Sequence, residues 1–217
     1  MKRASLFVPA VFVTVLGVMV LGQNPADHEN YPSVSIVNTP HNLNTSPGVN
    51  IPGNQICLPC HTPHNALLYG DENVLWNHAE SGETFTMYKT TGSDLLGPSK
   101  LCLGCHDGVT ALDSYGGATG SIVMSGNAAI GRNRDLSDDH PIGIQYPDAS
   151  NTEYKLPDTF APGIGSGVGS GVKLVTANNI ANRVECTSCH NVHNNGLGNF
   201  LRVPLQESYL CLQCHIK

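Results

Sequence analysis

All eight cysteines of the chain fall into four copies of one pattern, two cysteines separated by two residues with a histidine directly after the second. The copies are Cys57-Leu58-Pro59-Cys60-His61, Cys102-Leu103-Gly104-Cys105-His106, Cys186-Thr187-Ser188-Cys189-His190 and Cys211-Leu212-Gln213-Cys214-His215. One short turn with this spacing presents two thiols to the two vinyl groups of a porphyrin, while the adjacent histidine aims its ring at the iron. Each motif therefore predicts one covalent heme c, four in all, held by two thioether bonds and one axial histidine. Disulfide frameworks and zinc ribbons also use paired cysteines, but neither calls for a histidine after every second one.

Composition points the same way. Aromatic residues make up 6% and charged residues 13% of the 217, while 23 glycines and 14 prolines spread turn chemistry along the chain. Long helices and strands have little room in such a sequence. Disorder usually comes with high charge, which is scarce here. The expected fold is irregular, with short helices at the CxxCH sites and a few short strands, for which residues 121–124 and 172–175 are candidates. Four closely packed hemes, rather than side chains alone, are expected to fill the core.

Lys2 and Arg3 precede an uncharged apolar run over residues 6–21, closed by Gly22 and Gln23. This is the layout of a secretory signal peptide, expected at residues 1–22. The run is shorter than the roughly 20 residues that span a bilayer, so no stable membrane span is expected. No cysteine follows it as a lipoprotein acceptor, and the mature chain is expected to be exported. Removing Lys2 and Arg3 takes the formal charge from −6 to −8. Such acidity argues against nucleic acid and is compatible with basic redox partner proteins or extracellular acceptors such as mineral surfaces.

Six of the ten histidines lie outside the motifs: His28, His41, His64, His78, His140 and His193. Of the four methionines, Met1 and Met19 lie in the leader, so only Met87 and Met124 compete as axial ligands. Histidine on both faces of every iron is the simpler expectation, and it leaves no iron open to a substrate. An electron carrier rather than an enzyme is expected, because an enzyme of this type needs an open coordination face.

His64 and His193 each follow a motif histidine by three residues. Two axial Cα atoms lie about 12 Å apart across an iron, whereas three extended residues span at most roughly 10 to 11 Å. Neither can therefore bind the far face of its own motif's iron. Each is a solvated histidine or the ligand of a neighboring heme. Pro141 keeps His140 in extended backbone and Pro40 restrains the approach to His41, as suits a ligand held at one angle. His78, beside the single tryptophan Trp76, reads equally as ligand or packing residue, and His28 near the mature N-terminus reads as free.

Cys57-Leu-Pro-Cys-His-Thr-Pro-His-Asn65 and Cys186-Thr-Ser-Cys-His-Asn-Val-His-Asn194 share one form, and Ser-Lys-Leu and Ser-Tyr-Leu precede the other two motifs. The tetraheme domain, 23–217, is thus expected to hold a diheme module at about 41–106, a motif-free insertion at 107–185 and a second diheme module at 186–217. Residues 69–88 look like an insertion within the first module. The glycine-rich tract at 163–171 reads as a flexible loop or edge hairpin.

The ordered set CLPCHTPHNA, LWNH, MYKT, SKLCLGCHDGVTA and LSDDHPIG resembles the multiheme cytochromes related to extracellular tetraheme filaments, the microbial nanowires. The resemblance covers about residues 40–215. It implies bis-histidine hemes in a continuous chain, with His41, His64, His140 and His193 as the distal set. It further implies extracellular electron transfer by a homopolymer in which a histidine of one subunit ligates a heme of the next. Relatives commonly carry arginine where this chain has His78, and some members of the family do not polymerize. A soluble periplasmic electron shuttle needs the same hemes without the intermolecular ligand and is the alternative.

Overall fold

Turn chemistry governs the local structure. Asn54, Asn65, Asn133, Asn178, Asn179, Asn182 and Asn199 all take positive φ, a left-handed conformation that asparagine tolerates better than most side chains. The computed structural model describes residues 35–67, 74–88, 95–160 and 171–217. The expected signal peptide, His28, residues 69–73 and residues 163–170 of the glycine-rich tract lie outside the described residues.

Regular elements are short, as the composition leads one to expect. They are β1 (Thr86–Met87), α1 (Pro98–His106), β2 (Asp135–Leu136), β3 (Ile144–Gln145), β4 (Val175–Ala177), β5 (Ile180–Val184) and α2 (Cys186–Cys189), joined by turns and single 3-10 turns. β1 and β2 pair in parallel, and β5 lies between β3 and β4 in an antiparallel sheet. Asn178 and Asn179, at φ 51° and 62°, turn the β4–β5 hairpin, because two left-handed residues match the twist of the flanking strands. The strand candidates need correction. Only Val175 of residues 172–175 enters a strand, and residues 121–124 supply one isolated bridge, Ala111 with Val123. Hydrophobic runs of four residues carry too little periodicity to fix such short pairings.

Helix α1 begins with Pro98, whose missing N–H costs nothing in the first turn. It ends at Asp107, followed by Gly108 at φ 72°, the left-handed stop that glycine supplies. Its buried residues include Ser99, Leu101, Leu103 and Gly104. Gly104 presses on the chain at Ala79, where a Cβ would come 2.5 Å from the carbonyl oxygen. The main apolar cluster is small, with Leu43, Val49, Ile51 and Leu112 packed against Leu58, Cys105, Tyr115, Ile122 and Met124. One motif cysteine thus belongs to the core itself. No helix among the described residues is long and apolar enough to cross a membrane.

Asp107 ties the end of α1 to the next turn. Its side chain is fully buried and accepts from the N–H groups of Val109 and Thr110 at 2.8 Å each and from the Thr110 hydroxyl at 2.7 Å. Burial raises its pKa, but these donors together outweigh burial and hold it below the ordinary value. Asp107→Ala removes the acceptor of three part-buried donors and is expected to cost about 1–3 kcal/mol, read by chemical denaturation. Because the folded value is depressed, the contribution is present above the unfolded pKa and is lost as pH falls through the folded one.

Candidate heme centers

Each CxxCH segment closes one helical turn. The N–H of His61 donates to the Cys57 carbonyl at 2.8 Å, that of His190 to Cys186 at 3.0 Å and that of His215 to Cys211 at 3.0 Å, while the second motif lies inside α1. In a helical turn residues three apart share a face, so both thiols of a motif point the same way.

Backbone carbonyls orient three of the four motif histidines. Nδ1 of His61 faces the Val74 oxygen at 2.6 Å, that of His106 the Ala128 oxygen at 2.6 Å and that of His190 the Asn199 oxygen at 2.7 Å. A carbonyl only accepts, so Nδ1 carries the proton and Nε2 keeps its lone pair for a metal. None of these three carbonyls has a sequence signature, because any residue supplies one.

Three of the spare histidines meet motif histidines in pairs. His193 stands opposite His61 with ring centroids 6.1 Å apart, His41 opposite His106 at 6.1 Å and His140 opposite His215 at 6.4 Å. With metal–imidazole bonds of about 2 Å on either side, two axial rings stand about 6 Å apart, so the spacing suits one iron between each pair. His193, barred by spacing from the iron of its own motif, faces the first motif instead. Burial, with His106 beside it, pushes His41 down to about 4. Burial lowers His193 and His215 as well, with His61 and His140 respectively adding to the shift. Rings held below their ordinary pKa are neutral near pH 7, as metal ligation requires.

His64 is exposed, and among the described residues neither its ring nor that of His190 faces another histidine. His78 is buried and belongs to the packing. Its Nδ1 lies 2.8 Å from the Ala79 oxygen and its Nε2 3.2 Å from the Leu112 oxygen. Both nitrogens are thus turned to backbone, and the Cys105 sulfur lies 3.4 Å from Nε2. Met124 packs in the apolar cluster and Met87 lies in β1.

The cysteines are all free. Burial, helped by Cys57, pushes the Cys60 thiol up to about 11; burial, with Cys60 and Asp107 nearby, takes Cys105 to about 12; and burial, with Cys214 nearby, takes Cys189 to about 11. Burial thus holds these three sulfurs in the thiol form in the heme-free chain. Among the described residues no three His, Cys, Asp or Glu converge as an ion site. Among the described residues, the buried polar atoms without a partner include Trp76 Nε1 and Thr187 Oγ1. Such orphans are rare in folded proteins. Here they sit beside the paired rings or within a motif, where a porphyrin bearing propionates fits.

Residues 178–217, which carry the third and fourth motifs, match the family described as the doubled CXXCH motif. No curated protein matches the chain. The doubled motif and the sparse secondary structure indicate a multiheme c-type cytochrome, a protein of electron transfer with covalent heme c.

Proposed function

We propose that all four motifs carry heme c and that the chain is an exported, extracellular electron conduit whose protomers polymerize. The observation that carries this reading is the uneven ligand set. Three spare histidines stand opposite His61, His106 and His215, whereas among the described residues His190 has no such partner and His64 is exposed with none. A His64 that reaches the His190 site of a second protomer completes both. His28 is the competing ligand for that site. When bound, each heme supplies a one-electron iron couple whose potential is lowered by histidine on both faces. The chain's own part is to fix the rings, through the Val74, Ala128 and Asn199 carbonyls, and to leave no iron face to a substrate.

His64→Ala tests the polymer. The expected result in cryo-electron microscopy and light scattering is loss of filaments, with one of four irons turning high-spin. Filaments that persist in the variant would eliminate His64 as the joining ligand. Monodisperse wild-type monomers with four low-spin irons would instead establish the soluble periplasmic shuttle.

A further inference from the structure

The two halves of the chain meet at a buried polar joint that neither attachment nor ligation explains. Ser99, in the first turn of α1, is fully buried, and Glu185, directly before the third motif, is 1% exposed. The Ser99 hydroxyl donates to Glu185 Oε2 at 2.5 Å and accepts from the Cys186 N–H at 2.9 Å. Arg183, also buried, donates from Nε to Glu185 Oε1 at 2.9 Å and from Nη2 to the Gly143 carbonyl. The Glu185 N–H donates to Ser188 Oγ at 2.9 Å. Gly97 closes the joint, since a Cβ there would stand 3.0 Å from the Glu185 carboxyl carbon.

A buried ion pair is costly to desolvate and contributes little net stability. What a fully satisfied network does provide is a single arrangement. This one holds the start of α1 against the start of α2. Ser99, three residues before Cys102, thus holds the backbone of Cys186, and the second and third motifs meet across the boundary between the halves.

We infer that Ser99, Glu185 and Arg183 are positioning residues that lock the second and third heme attachments together and set the local field at the crossing between the halves. The inference rests on the reading that every motif holds a heme. The joint is not a general consequence of the repeat. Ser208 occupies the same place before the fourth motif, three residues ahead of Cys211, yet it is exposed at φ 59° and makes no such bridge among the described residues.

The fixed carboxylate favors the more positive, oxidized iron. Glu185→Gln keeps the shape and removes the charge, leaving Arg183 in place. Redox titration followed by NMR is expected to show upward shifts in the potentials of the hemes at Cys102/Cys105 and Cys186/Cys189, with the other two unchanged. Ser99→Ala, which keeps every charge, is expected to change the electron-spin coupling between those same two hemes, and Ser208→Ala to leave all couplings as in wild type. The Ser99 variant also serves should the Glu185 variant not yield holoprotein. Unchanged potentials in Glu185→Gln, a shift spread evenly over all four hemes, or unchanged coupling in Ser99→Ala would overturn the inference. A pyridine hemochrome count other than four in wild type would instead overturn the four-heme reading beneath it.

Discussion

Replacing His193 with alanine is expected to open the iron attached at Cys57 and Cys60 and to leave the iron of its own motif, at Cys189-His190, unaffected. The three-residue spacing forbids His193 from the far side of His190, and its ring faces that of His61 at 6.1 Å with planes 18° apart. Loss of one axial ligand converts a six-coordinate low-spin iron to a five-coordinate or water-bound one, an all-or-none change at that center. Electron paramagnetic resonance should show one high-spin signal in four, and cyanide should titrate one site. Resonance assignment of the cyanide-bound heme to the Cys57/Cys60 attachment is the decisive reading. A high-spin signal at the Cys186/Cys189 heme, or none at all, would remove His193 from the ligand set.

On the proposal that every motif holds a heme, substituting serine for both Cys102 and Cys105 is expected to lower the hemochrome count from four to three and to damage the fold more than the same change at Cys211 and Cys214. Cys105 packs against the apolar cluster around Leu43, Val49, Ile51 and Leu112, and its sulfur touches the buried His78 ring. Cys102 lies in α1, one turn after Ser99, which binds the Cys186 N–H at the joint between the halves. Cys211, by contrast, is exposed. Serine at buried sulfur positions adds polar hydroxyls with no partners provided for them, at about 1–3 kcal/mol each. Denaturation of the two double variants, each at three hemes, gives the comparison directly. Equal stabilities would show that the second motif is no more central than the fourth.

How far the site could be read in advance differs from residue to residue. The cysteines and motif histidines are contiguous, and their turn closes within five residues, so spacing alone states their chemistry. His193 is an intermediate case. Chain reach excludes its own iron, but only the folded chain brings it to His61. The carbonyls of Val74, Ala128 and Asn199 leave no trace in the sequence, since a backbone oxygen has no side-chain identity. Ser99 and Ser208 look alike on paper and differ in the structure, because burial depends on what packs above the serine. The β4–β5 hairpin was legible in principle from Asn178-Asn179 between two apolar runs, but a five-residue strand carrying an asparagine, an arginine and three aliphatics has a weak alternation to read.

What the sequence determined by itself is local: four attachment turns, a surplus of histidines, a backbone broken by glycine, proline and left-handed asparagine, and the impossibility of His64 or His193 closing its own site. These follow from bond lengths and short-range sterics, which need no knowledge of the rest of the chain. The tertiary structure decided which distant groups meet. It set His41 against His106, His140 against His215 and His193 against His61, turned both nitrogens of His78 to backbone carbonyls, and seated Glu185 on Ser99 so that α1 is tied to the start of the third motif. Those meetings depend on packing and on burial of charge, which emerge only once segments far apart in sequence exclude water together.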